Sequence, residues 1–371
     1  MRLGFLIFLL FFTTSAWAKL LRVPYQGIRQ LGMGNAFVAL ADDSNCLWYN
    51  PAGLARVSGP HFNMLDLQIG FDSMDTWDRL KNFMFKGDVQ HLLRPDTEAI
   101  RIGTKPTFTM PFFGFSVFDN VTSFTDFQNL QSLDATVDIY TANDVGLIAG
   151  IAIPATKYFS FGLSARAFER NAIDAHITAQ ELLEEVEEDP LSFIQSRENF
   201  TSAVYDHISK LVGFGYAVGY NAGFLATLPL GADAPKVTFA GAAEDIGQTT
   251  FKKMGSLPTP KAILPSYHLG TSVSYKVDSL SKMNFALDFR NATEHLPWQK
   301  KLHLGVEYRH KWFALRTGVY DAYLSLGFSV EFPPHTRVHF ATYQSELDDT
   351  KLVTRGQRWY VMQFIVGFNP F

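Results

Sequence analysis

Beyond residue 158 much of the chain alternates apolar with small or polar residues at a period of two. That alternation confines it to strands with two unlike faces. Leu302, Leu304, Val306 and Tyr308 alternate with His303, Gly305, Glu307 and Arg309. Leu324, Leu326, Phe328, Val330 and Phe332 alternate with Ser325, Gly327, Ser329 and Glu331. The same pattern runs through 267–275, 284–290 and 159–167. Tyr267, Tyr275, Tyr308 and Phe332 stand at strand ends on the apolar set, where an interfacial girdle needs aromatics. Leu211 to Leu230 is apolar enough for a helix, with Gly215, Gly219 and Gly223 spaced as G-x-x-x-G. It also alternates, and glycine is costly in a helix, so it reads as another strand.

Composition decides what the two faces meet. Aromatics make up 15% of the chain, with 34 Phe, yet mean hydropathy is only +0.01. A helical membrane protein would be far more apolar, and a soluble sandwich would carry less Phe. A transmembrane barrel reconciles both, with one face toward lipid and a polar one toward the lumen. The N-terminus agrees. Arg2, the apolar run Leu3 to Phe12 and Ala16-Trp17-Ala18 form a secretory signal peptide over 1–18. The apolar run is too short for a spanning helix. The lone Cys46 excludes an internal disulfide, and a net charge of −4 without a dense basic run argues against nucleic acid.

The expected fold is therefore all-β: an antiparallel transmembrane barrel in the cell outer membrane. The strand number must be even, because both termini face the periplasm. Taking Phe112 to Phe127 as one strand leaves an odd count of thirteen; a break at Asp119-Asn120, a turn-favouring pair, gives fourteen, with twelve as the alternative. The last strand, near Gln357 to Phe368, carries Tyr360, Met362, Phe364, Val366 and Phe368 on one face. It resembles the terminal signal read by outer-membrane assembly machinery, although Phe371 falls on the opposite parity. Short turns at 277–279 and 333–335 should be periplasmic, and the links 291–300 and 346–356 extracellular. Two further outer links, 72–93 and 180–211, show helical spacing.

Residues 19–60 do not alternate. They contain Gly32-Met33-Gly34-Asn35-Ala36, the pair Asp42-Asp43, and Trp48-Tyr49-Asn50-Pro51-Ala52-Gly53-Leu54. This ordered set resembles the N-terminal region of the FadL-like superfamily of outer-membrane proteins. The superfamily includes long-chain fatty-acid and aromatic-hydrocarbon transporters as well as PorV-like accessory proteins. The resemblance implies that 19–60 plugs a barrel formed by 61–371, and that hydrophobic molecules pass it, escaping sideways through a gap in the wall. On the PorV-like alternative the outer mouth holds a secreted partner.

The residues have their own reading beside the resemblance. Gly32 and Gly34 permit close backbone approach, and no strand precedes them to make a phosphate loop. Asp42 and Asp43 can turn the chain or pair with lumen arginines among Arg166, Arg290, Arg309 and Arg316. Trp48 and Tyr49 offer surface to a greasy ligand, and Asn50-Pro51 favours a turn. His268, Asp288 and Glu307 face the lumen with those arginines and serve to hydrate it. The pair His335 and His339 reads as surface rather than metal-binding. No G-x-S-x-G or H-E-x-x-H motif occurs, so no catalytic residue, metal or cofactor is expected. The partners expected are outer-membrane lipid, a hydrophobic small molecule and the assembly machinery.

Overall fold

The computed structural model describes residues 25–78, 98–128, 136–178, 181, 211–231, 234–332, 335–346 and 356–368. The signal peptide expected over 1–18 lies outside them. Among the described residues the wall has fourteen antiparallel strands. These are β1 (His61–Phe71), β2 (Glu98–Thr104 and Thr107–Met110), β3 (Phe113–Gln128), β4 (Thr136–Thr156) and β5 (Phe159–Thr178). Next come β6 (Gly213–Thr227), β7 (Lys236–Glu244), β8 (Ser266–Lys276), β9 (Lys282–Phe289) and β10 (Leu302–Arg309). The wall ends with β11 (Phe313–Tyr320), β12 (Tyr323–Phe332), β13 (Thr336–Glu346) and β14 (Gly356–Phe368). Each strand pairs with the next, and β14 pairs with β1 from Phe62↔Phe368 to Phe71↔Tyr360, which closes the barrel.

Fourteen is reached without the expected break. β3 runs unbroken through Asp119-Asn120, with ladders to β2 on one side and β4 on the other. Two ladders override the turn preference of that pair. The interruption falls in β2 instead, at Lys105-Pro106, since Pro106 has no N–H to give. There the Lys105 N–H reaches Asp66 O (3.0 Å), and Val117 N–H reaches Pro106 O (3.1 Å).

The alternation sorts the faces as the sequence implies. Phe161, Leu163, Leu269, Leu304, Leu324 and Phe364 point outward and stay exposed. Their neighbours along the chain, Gly162, Ser164, His268, His303, Ser325 and Gln363, are buried inside. An exposed apolar ring of this extent needs lipid to cover it. The segment 213–227 is a strand of the same kind, with Tyr216, Val218 and Tyr220 outward.

One barrel end carries the short turns at 111–112, 157–158, 277–281 and 310–312, and this is the periplasmic end. At the other end lie the long links and one tight hairpin, Asp321-Ala322. Both its residues have positive φ (52° and 67°), as the hairpin twist requires. Both outer links open on a capped first turn. Ser73 Oγ accepts the Thr76 N–H (3.1 Å), and the helix runs from Met74 to the last described residue there, Asp78. Thr178 and Glu181 form a reciprocal capping box (2.9 and 3.2 Å). The bodies of both links lie outside the described residues.

Candidate functional site

The lumen is occupied by the chain's own N-terminal segment, Tyr25 to Arg56. Helix α1 (Ile28–Gly32) is buried along its length against β11, β12 and β13. Its last residue meets the wall backbone to backbone: a Cβ on Gly32 would come 2.9 Å from Gly327 Cα. Gly34 has φ +63°, and a Cβ there would overlap the carbonyls of Leu304 and Val319. Glycine satisfies both demands, the left-handed backbone and the close approach.

From Gly34 the segment crosses the lumen on wall side chains. Gly34 N–H donates to Ser325 Oγ (2.9 Å), and its carbonyl lies 2.7 Å from His303 Nδ1. Asp288 then accepts two successive backbone donors, Phe37 N–H (2.6 Å) and Val38 N–H (2.8 Å). On the far side, α2 (Cys46–Tyr49) leads to a 3-10 turn, Pro51–Arg56. Asn50 is extended (φ −162°), as the following proline demands. Its amide donates to Val38 O (3.0 Å) and to Phe224 O of β6 (3.1 Å). Ala52 rests on Gly162 of β5, and Leu47 packs over Gly114 and Gly150. Gly53 is pressed against Ala41 and Cys46 within the segment.

Several of the charges inside are paired. Arg29 holds Glu307 of β10 through two bonds (2.8 and 2.7 Å). Its remaining nitrogen reaches Asp42 (2.6 Å) and Asp43 (2.7 Å). Asp42 and Asp43 therefore take their shortest contacts from an arginine of their own segment, not from the lumen arginines. The fold of 29–43 brings all three together before the wall is involved. Burial alone would raise the Asp42 carboxyl, but Arg29, with Arg309 and Lys282 near, holds it well below the usual carboxylate range. The lumen arginines have other partners. Arg316 bonds Glu307 (2.7 Å) and Ser329 (2.8 Å), Arg166 bonds Asp245 (2.5 Å), and Arg290 bonds Glu244 (3.2 Å). Arg309 is half-exposed, 3.4 Å from Glu307. His268 faces Glu244 (3.2 Å). His339 points inward and is buried, contrary to the surface placement expected from its position near a turn, because residue 339 falls on the inward parity of β13.

Trp48 and Tyr49 offer no free surface. They are 4% and 3% exposed. Trp48 packs edge-on to Phe118 (4.8 Å) and against Tyr25, and the Tyr49 hydroxyl donates to Asn35 (2.5 Å). Segment and wall enclose both rings. Cys46 is fully buried among them, and burial pushes its thiol well above its ordinary range.

Three groups escape a reading from spacing alone. One is the anchor set Arg29, Asn284, His303 and Ser325. Another is Lys105 at the break in β2, which donates to Asn45 and lies 4.0 Å over the Tyr25 ring. The third is an aromatic lining on the inward face of the outer half: Phe124, Tyr140, Tyr320, Tyr343 and Trp359, resting on Ile28 and Leu31 of α1. Tyr343 and Trp359 lie parallel at 6.3 Å. The signal for the segment's footprint was in the sequence, as glycines on the inward parity: Gly162, Gly270, Gly305 and Gly327 each touch it. Among the described residues no group of three His, Cys, Asp or Glu is placed to hold a metal.

No family model matches the chain, and no curated protein matches it. Solved structures do. The CymD monoaromatic hydrocarbon channel aligns over 95% of this chain and 98% of its own, at 12% identity and a TM-score of 0.50. The toluene transporter TodX of Pseudomonas putida aligns over 95% and 99%, also at 12% identity and 0.50. A deltaS2 mutant of TodX aligns over 92% and 97%, at 12% identity and 0.51. This chain has the FadL-like fold. The FadL-like barrel and its lipid-facing ring place it in an outer membrane.

Proposed function

We propose that this FadL-like barrel carries hydrophobic molecules passively across the outer membrane, with 25–56 as the gate. The observation that carries the reading is the aromatic lining of the outer half. A water-filled pore has a polar lumen, whereas Phe124, Tyr140, Tyr320, Tyr343 and Trp359 face inward here. These rings are covered by Ile28 and Leu31 of α1, so an apolar solute entering from outside would gain contact with them as α1 moves aside. Passage then requires the segment to shift. The interrupted rung at Lys105-Pro106, beside Asn45 of the segment, would serve as a sideways exit toward lipid once its bonds to Asp66 and Val117 open. With the segment displaced, solutes of the monoaromatic class and the chains of long-chain fatty acids would both suit such rings. No bond is made or broken, so no catalytic group is needed. Export through a cleaved leader at Ala18 and insertion by the assembly machinery complete the reading.

The test is uptake of radiolabelled toluene and of oleate by cells lacking other such channels, with and without this protein. Uptake of at least one should rise several-fold. Equal rates for both overturn transport, and co-purification of a secreted protein with the barrel would then support the accessory reading.

A further inference from the structure

The periplasmic rim carries a site that the transport reading does not use. A cavity of about 460 Å³ is lined there by Asn63, Lys311, Glu331, His335 and Arg337. Glu331 and Arg337 are cross-strand partners of β12 and β13, and Arg337 donates to Asn63 of β1 (2.9 Å). These three point toward the lumen mouth. Phe332 and Phe368, which also line the cavity, sit on the opposite parity and are exposed toward lipid. The cavity thus turns around the rim, from a basic mouth to an apolar outer face. Phe368 packs edge-on to Phe62 (5.5 Å), and Phe62 to Phe108 (6.5 Å), so this level belongs to the aromatic girdle. Girdles lie at headgroup depth.

Cations at headgroup depth beside exposed rings suit one kind of ligand, an anionic headgroup joined to acyl chains. A neutral solute would draw nothing from the charges of Lys311 and Arg337, and a free ion would leave the rings unused. Arginine also matches phosphate with its planar fork. We propose that this cavity binds the phosphate headgroup of a phospholipid from the periplasmic leaflet, with the acyl chains lying along Phe332 and Phe368. Such a lipid would brace the β12–β14 and β1 ends, beneath the wall that seats α1.

The test is native mass spectrometry of the full-length protein with dioleoylphosphatidylglycerol added to the detergent. The wild type should retain one lipid at least about tenfold better than the double variant Lys311→Gln/Arg337→Gln, given the contribution of each cation near a headgroup layer. Lys311→Gln alone, at an exposed turn, should weaken retention several-fold, so the result does not depend on Arg337 alone. Glu331→Gln should retain the lipid. Heat-modifiable migration confirms that each variant is folded. Equal retention by wild type and double variant overturns the proposal. So does equal retention of dioleoylglycerol, which lacks the phosphate, or of inorganic phosphate alone, which lacks the acyl chains.

Discussion

Replacing Glu307 with alanine should loosen the inner segment while leaving the barrel closed. Glu307 is fully buried and accepts from Arg29, Arg316 and Asn284. Its loss leaves Arg316 with Ser329 and no carboxylate, and leaves Arg29 tied only to Asp42 and Asp43 of its own segment. Removing one member of a buried ion network typically costs about 3–5 kcal/mol. That cost falls mainly on the seated segment, because the β10 ladder to β9 and β11 is made by backbone groups. The buried Cys46 reports the release. Its labelling by a maleimide should accelerate roughly a hundredfold or more over the wild type. Glu307→Gln keeps an acceptor and should give a smaller effect. Heat-modifiable migration should be unchanged in both. Unchanged labelling in Glu307→Ala would show that this network does not hold the segment.

Gly162→Val should separate wall from segment in the opposite manner, by adding bulk. A Cβ at Gly162 would overlap Pro51 C and Ala52 N, both backbone atoms of the segment and neither a flexible side chain. No wall atom stands among the nearest contacts. Valine suits a strand better than glycine, so β5 itself should gain. Overpacking of a tight contact costs about 1–3 kcal/mol, and this cost falls on the 3-10 turn alone. Cys46 labelling should therefore rise by about tenfold or more with the barrel intact. Gly59, whose Cβ would meet nothing within 4 Å, is the control, and Gly59→Val should label as slowly as the wild type.

Much of the wall was legible in the sequence. The period of two gave the faces; parity asked for an even number, and fourteen came out although the break assumed at Asp119-Asn120 to reach it is not there. The bounds of β1 and β14 follow from where alternation starts and stops. The break in β2 was not legible, because a Lys-Pro pair reads as a turn unless the neighbouring strands are known to continue past it. The internal partners were hidden for a related reason. Arg29 and Glu307 are 278 residues apart, and no local period connects a helix in the lumen to a depth on the wall. Local chemistry read better: Asn50-Pro51 is extended and turns as expected, and Gly34 has the positive φ that its residue type permits. Trp48 and Tyr49 show the limit of composition. Aromatic residues signal apolar surroundings, but only packing decides whether a ligand or the protein supplies them.

The most direct test of a lumen closed by its own segment is conductance in a planar bilayer. The wild type should show no steady ionic current, because the lumen is filled by paired and packed side chains. A variant lacking 25–56, with the fourteen strands retained, should conduct as an open pore. A steady current through the wild type, or a deletion variant that stays closed, would contradict the segment's role as the closure.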